Sequence, residues 1–152
     1  EIVLIAVIVL IDLLTKSWSE AAIGLGNQQV IIENFFSITI ARNTGAAWSV
    51  FEGEMTFFYI MTIIALAVMF YGLFSAKKIN WLFRISLCLM IAGTLGNFFD
   101  RLTLHYVRDF LDFIIFGYDY PIFNVADISL CIGVFLMIID VFFDSKGEKA
   151  NG

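Results

Sequence analysis

Residues Met55–Phe74 read MTFFYIMTIIALAVMFYGLF, a run without a single charge. As a helix rising about 1.5 Å per residue, it matches the roughly 30 Å hydrocarbon core of a bilayer. Composition extends that reading to the whole chain. With 61% hydrophobic residues, 15% charged residues and one proline in 152 residues, and a mean hydropathy of +0.91, too little polar surface remains to cover a soluble domain. The net charge of -5 is spread along the chain. With neither a basic stripe nor an acidic arm, nucleic acid is set aside as a partner.

Outward from this run, further spans come into view. On the N-terminal side, Ile2–Leu14 contains only Asp12 as a charge, and continuation to Trp18 extends it into a first span. The chain opens on Glu1 and not on methionine, so residues ahead of it are expected. A cleaved signal peptide is the rival, but no small-residue cleavage site follows and Asp12 interrupts the run. On the C-terminal side, Ser75–Asn80 supplies a basic turn with Lys77 and Lys78. Trp81–Phe99 is a third span, with Arg84 near its start to snorkel outward and the small residues of GTLGN, Gly93–Asn97, near its end to let helices approach. Pro121–Phe143 is a fourth, opening with a proline where a missing N–H does no harm. The expected fold is a mainly α membrane protein, one domain over 1–152, with four transmembrane helices at about 2–18, 55–74, 81–99 and 121–143.

Orientation follows from the cations. Lys77, Lys78, Arg84, Lys146 and Lys149 fall on one side of such a bundle, and Lys16, Arg42, Arg101 and Arg108 on the other. That bias places both termini in the cytoplasm and turns segments 19–54 and 100–120 outward.

Both outward segments carry pattern. In VIIENFFSITIAR, Val30–Arg42, Phe36, Ile38 and Ile40 alternate with Ser37 and Thr39, which predicts β structure at the membrane surface. RNTGAAWSVFEGE follows, with Asn43 and Gly45 as turn signals and Trp48 and Phe51 suited to the headgroup zone. It reads either as a small amphipathic lid or cradle or as an ordinary interfacial loop. The second segment lies in AGTLGNFFDRLTLHYVRDFLDFIIFGYDYPIFNVAD, Ala92–Asp127, and gathers Asp100, Asp109, Asp112, Asp119 and Asp127 among apolar residues. Charges in such company are costly and call for a purpose. Asp100 and Arg101 follow the apolar part of span three, with Asn97 one turn earlier on the same face. Asp109 is expected in the connecting loop, and Asp112 and Asp119 as more exposed loop acids. Asp127 falls six residues into span four, roughly 9 Å along its axis, with Asn124 facing the same way. Asp12 and Lys16, four apart, form either an interfacial ion pair or a brace for a nearby site.

Two carboxylates held close cannot both ionise readily, so one retains a proton while the other can take a proton from water. Such a pair suits aspartic-protease chemistry, but spacing alone leaves a transporter or a packing ion pair open. Cys88 and Cys131 lack metal-ligand spacing and read as core residues, and His105 reads as a loop histidine, so no metal is expected.

On these residues the chain resembles the bacterial lipoprotein signal peptidases, also called signal peptidase II. The blocks D..TK (Asp12, Thr15, Lys16), RNTGAAW (Arg42–Trp48), GTLGNFFDR (Gly93–Arg101), VRDFLDF (Val107–Phe113) and FNVAD (Phe123–Asp127) recur in order. The resemblance implies a four-helix intramembrane aspartic protease with an extracytoplasmic β-cradle and a short interfacial helix beside the site. It assigns catalysis to Asp109 and Asp127, and supporting or substrate-binding roles to Asp12, Lys16, Asn43, Gly45, Asn97, Asp100, Arg101 and Asn124. It implies no metal or cofactor, a monomer among membrane lipid in the bacterial cytoplasmic (inner) membrane, and a site at the extracytoplasmic face. The implied substrate is a prolipoprotein carrying a diacylglyceryl group on its lipobox cysteine, cut just before that cysteine. In one respect the chain departs: the family more often has an aliphatic residue where Arg108 stands. That cation either alters the ionisation of Asp109 or points away. Two readings of another class compete. A proton-coupled transporter would use Asp127 and Asp100 as a relay, although the acids crowd one end and no paired broken helices or repeats are visible. A membrane scaffold would tolerate asparagine at both aspartates.

Overall fold

The computed structural model describes residues 1–45, 51–75 and 80–150, the side chains of 144–150 excepted. In chain order the elements are α1 (Ile2–Ile23), β1 (Gln28–Ile32), β2 (Phe36–Asn43), α2 (Met55–Ser75), α3 (Trp81–Leu104), β3 (Val107–Ile115), β4 (Tyr118–Asp119) and α4 (Val125–Ala150). All four helices are long and apolar enough to cross a membrane, α4 by its part up to Phe143. A helix satisfies every backbone group within itself, which lipid demands.

Helix α3 is the axis on which α1, α2 and α4 pack. Asn80 caps its start, accepting the Phe83 N–H at 2.9 Å, and His105 ends it in the left-handed region at φ 64. The close approach depends on GTLGN. A Cβ on Gly96 would come within 2.5 Å of Asp12 Oδ2, and one on Gly93 would run into the Ala126 carbonyl. Ile5, Met69, Leu73, Leu87, Cys88, Ile91 and Ala92 form the core between α1, α2 and α3. Away from it, Ile60, Ile64, Val68 and Phe74 on α2 stay more than half exposed, as suits a surface solvated by acyl chains. At one end of the bundle Arg84 pairs with Glu1 and Asn80 donates to Asp140. The clustered acids sit at the other.

A single antiparallel sheet in the order β1-β2-β3-β4 draws segments 19–54 and 100–120 together. Strands β1 and β2 form a hairpin, and β2 then pairs with β3 across the two intervening helices, placing Ala41 opposite Asp109 and Asn43 opposite Val107. The register shifts between Ile38 and Ala41. That irregularity breaks the expected alternation, and Ser37 and Ile40 are the buried positions of β2.

Several boundaries differ from expectation. Helix α1 runs on to Ile23, and α3 to Leu104, so Asp100 and Arg101 belong to a helix and not to a loop. Asp109 and Asp112 lie on β3, because the segment pairs with β2 and Phe123 bridges Leu111 on its other side. That bridge keeps Phe123 extended, so α4 begins at Val125 with Pro121 outside it. Cys131 is exposed on the apolar surface of α4, and only Cys88 is a core residue. Phe51–Gly53 is a turn. Trp48, in the stretch read as a lid, lies outside the described residues, as do Lys77, Lys78 and the side chains of Lys146 and Lys149.

Candidate active site

Three residues of α3, one turn apart, supply the floor of the site: Asn97, Asp100 and Arg101. Spacing of three to four residues puts them on one side of the helix. Lys16, one turn after Asp12 on α1, reaches across to them with no solvent exposure at all. Its ammonium lies 2.8 Å from Asp12 Oδ2 and 3.5 Å from Asp100 Oδ2, and donates to Asn97 Oδ1 at 3.0 Å. The remaining oxygen of Asp12 accepts the Ala126 N–H at 2.8 Å. The pair is therefore a brace joining α1, α3 and α4, and not an interfacial decoration.

Asn124 and Asp127 form a reciprocal cap at the start of α4. Asn124 Oδ1 accepts the Asp127 N–H at 3.0 Å, and Asp127 Oδ2 accepts the Asn124 N–H at 3.1 Å. This is a capping box with an aspartate at its third position. Asp127 thus enters the site from the first turn of α4, earlier along the helix than its expected depth.

Each amide around the aspartates is oriented by a partner with only one hydrogen-bonding sense. Lysine can only donate, so Asn97 turns Oδ1 to Lys16 and Nδ2 to Asp127 Oδ1, at 2.7 Å. A backbone N–H can only donate, so Asn124 turns Oδ1 to Asp127 and Nδ2 to Asp109 Oδ1, at 2.6 Å. The Gly45 N–H likewise takes Asn43 Oδ1 at 2.9 Å and leaves Asn43 Nδ2 for Asp109 Oδ2, at 2.9 Å. Both carboxylates therefore receive an N–H on each oxygen, and Asn124 touches both. Asp109 is only 3% exposed. Burial first, and the charge of Asp127 second, push its carboxyl up from 3.8 to about 7, against the pull of the Asn43 and Asn124 amides and of Lys16.

Arg101 takes a different position. Its Nη2 donates to the Gly45 carbonyl at 2.9 Å and its guanidinium lies 4.5 Å from the centre of the Phe58 ring. It makes no ion pair with an acid among the described residues. Gly45 therefore ties Asn43 and Arg101 to one turn. Asp112 stands apart, accepting from Thr39 and Gln28, and Asp119 is exposed on β4.

Sequence reasoning left out one contributor, Tyr59, and left the direction of another, Arg108, open. Tyr59, one of several hydroxyl side chains in the apolar α2, donates to the Arg101 carbonyl at 2.8 Å and lies 3.2 Å from His105 Nδ1, fastening α2 to the end of α3. Its polarity within an uncharged span was the available signal. Arg108 points away from Asp109 and grips Asp100, with Nη2 at 2.7 Å from Oδ1 and both Nε and the backbone N–H on Oδ2. Nothing in local spacing announced that partner.

Comparison with known proteins shows the family and the fold. The family model described as Signal peptidase (SPase) II matches residues 4–143. Lipoprotein signal peptidases of Staphylococcus aureus, strains JH9 and Newman among them, are 45% identical over 148 residues, covering 97% of this chain and 91% of theirs. Two solved bacterial membrane enzymes, both determined by the in meso method, share the fold. One, at 2.3 Å resolution, gives a TM-score of 0.90 with 42% identity over 96% of this chain and 89% of that one. The other, at 1.9 Å, gives 0.84 with 43% identity over 92% and 90%. Matched in sequence over nearly its whole length and in fold at high identity, the chain belongs to the signal peptidase II family.

Proposed function

We propose that Asp109 and Asp127 are the catalytic pair with which this enzyme removes the signal peptide of a prolipoprotein, the role of its family. The observation that carries the assignment is Asn124, which donates to Asp109 and exchanges two hydrogen bonds with Asp127. One residue thereby holds two carboxyl groups from different elements in one site, its side-chain amide donating to Asp109 and its backbone N–H to Asp127.

The chemistry follows from their environments. Asp109, raised to about 7, holds the shared proton, and Asp127 in its ionised form takes a proton from the attacking water. As the water oxygen bonds to the scissile carbonyl carbon, Asp109 delivers its proton to the carbonyl oxygen. The tetrahedral diol then collapses: the C–N bond breaks, Asp127 gives its proton to the leaving nitrogen, and Asp109 takes one back from the diol. The asparagine N–H groups occupy one acceptor direction on each carboxylate oxygen, leaving the other for water and the travelling protons. Asp12, Lys16, Asn97 and Asp100 hold Asp127 from below, while Asn43, Gly45 and Arg101 hold the edge of β2 against Asp109.

The substrate in this reading carries a diacylglyceryl group on its cysteine and is cut just before it. A sheet over one end of an apolar bundle suits that task, because the acyl chains and signal helix remain in lipid while the scissile bond meets water. The site then faces outward from the cytoplasmic membrane, with both termini in the cytoplasm and the enzyme acting as a monomer. Cleavage of a diacylglyceryl-modified prolipoprotein by purified Asp109→Asn and Asp127→Asn tests the assignment. Each variant is expected to fold with parental helicity and to release no signal peptide. Near-parental cleavage by either one removes that residue from the mechanism.

A further inference from the structure

Arg108 sits at a junction. Its Nη1 donates to Ser17 Oγ at 3.0 Å and lies 3.7 Å from Glu20 Oε2, both on α1, while Nη2, Nε and the backbone N–H take Asp100 on α3. Three elements thus meet at the residue that immediately precedes Asp109. The electrostatics have the same centre. Asp12, Lys16 and Asp100 have no solvent exposure. Two buried carboxylates face one ammonium, and Arg108 supplies the second cation that makes the cluster neutral.

We infer that Arg108 is a positioning residue for both aspartates, acting on Asp109 through the start of β3 and on Asp127 through the path Asp100–Lys16–Asn97. The first route is covalent: the fork on Asp100 fixes where β3 leaves α3, and with it the direction of the next side chain. The second is electrostatic. With Arg108 in place, Lys16 is free to donate to Asn97 Oδ1, which turns the Asn97 Nδ2 toward Asp127. Without Arg108, Asp100 draws the ammonium toward itself and away from Asn97, whose Oδ1 then keeps only the Asn124 amide, at 3.1 Å, to orient it. An aliphatic side chain at this position cannot do either.

This inference rests on Asp109 and Asp127 being the catalytic pair. The test measures kcat, KM and melting temperature for Arg108→Val, Arg108→Lys and the double variant Asp100→Asn/Arg108→Val on a diacylglyceryl-modified prolipoprotein in bicelles, beside Asp109→Asn. For Arg108→Val, kcat is expected to fall on the order of 10- to 100-fold at unchanged KM, as for a small misplacement of reacting groups. Arg108→Lys keeps the charge without the fork and falls between it and the parent. The double variant removes one charge of each sign and recovers kcat above that of Arg108→Val. Parental kcat in Arg108→Val overturns the inference, as does a loss confined to KM or a double variant no better than Arg108→Val. Should Arg108→Val fail to fold, Arg108→Lys decides: reduced kcat at parental KM supports the inference, and parental kcat overturns it. If Asp109→Asn still cleaves, the pair itself is misassigned. Parental Arg108→Val beside an inactive Asp109→Asn refutes the positioning role alone.

Discussion

The ammonium of Lys16 donates to the side-chain oxygen of Asn97 at 3.0 Å, with both side chains buried. A lysine offers no acceptor, so this contact, with the Asn124 Nδ2 at 3.1 Å on the same oxygen, sets which end of the amide faces Asp127. It also places a full charge where water cannot reach. Lys16→Met would leave Asp12 and Asp100 with one fewer cation in a dry cluster, and removing one partner of a buried pair costs about 3–5 kcal/mol. Denaturation in detergent is expected to show a markedly lower melting midpoint, together with loss of cleavage. An unmoved midpoint would contradict the buried pairing.

Asn124 combines a structural and a chemical duty, and two substitutions separate them. Asn124→Ala removes the cap of α4, worth about 1 kcal/mol, and also the N–H on Asp109. Asn124→Ser restores an oxygen that can accept the Asp127 N–H but offers no amide to Asp109. Stability is expected to return toward the parent in the serine variant while kcat stays low. Equal recovery of both would mean that the asparagine acts only as a cap.

The GTLGN contact is tested at Gly96. An added methyl would lie 2.5 Å from Asp12 Oδ2 and 3.2 Å from the Ala126 Cβ. Either Asp12 leaves the Ala126 N–H or α3 and α4 separate, and overpacking of this kind costs about 1–3 kcal/mol. Gly72 is the matched control, since a Cβ there would meet Leu87 at an ordinary 3.4 Å. Gly72→Ala is expected to leave the midpoint unchanged or raise it, because alanine is the better helix former by roughly 1 kcal/mol. Equal effects at both glycines would remove the close-packing argument.

The spans were legible because a charge-free run of twenty residues has one physical outcome in water and lipid. The acids were legible as a cluster for the same reason, since aspartates are rare in apolar company. Their geometry was not. Asp109 sits on a strand whose partner, β2, comes from before two intervening helices, and no local pattern encodes that pairing. Pro121 gave a plausible helix start, but Phe123 is held extended by Leu111, and the true cap is Asn124. Arg108 follows the same rule. Its adjacency to Asp109 left open an effect on that carboxylate or a side chain pointing away, and the side chain belongs to Asp100 and the end of α1.

The pH dependence follows from Asp109, whose carboxyl is pushed from 3.8 to about 7 by burial and then by Asp127. The folded protein therefore favours the neutral form. A carboxyl raised on folding contributes stability that is fully present below its unfolded value and is lost as pH rises through its folded value. For the parent, this contribution declines between 3.8 and about 7 and is level above. Asp109→Asn has no charge to gain, so its stability relative to the parent should increase across that window and then hold constant. The rate reports the same proton. If Asp109 delivers it to the scissile carbonyl, kcat/KM falls as pH rises through about 7, and it falls again on the acid side as the pair takes up its second proton. The two limbs belong to the coupled pair and not to either residue alone. Denaturation midpoints of parent and variant across pH, with a kcat/KM profile for the parent, check both expectations. A variant whose stability tracks the parent at every pH, or a rate flat through neutrality, would mean that Asp109 does not hold the shared proton.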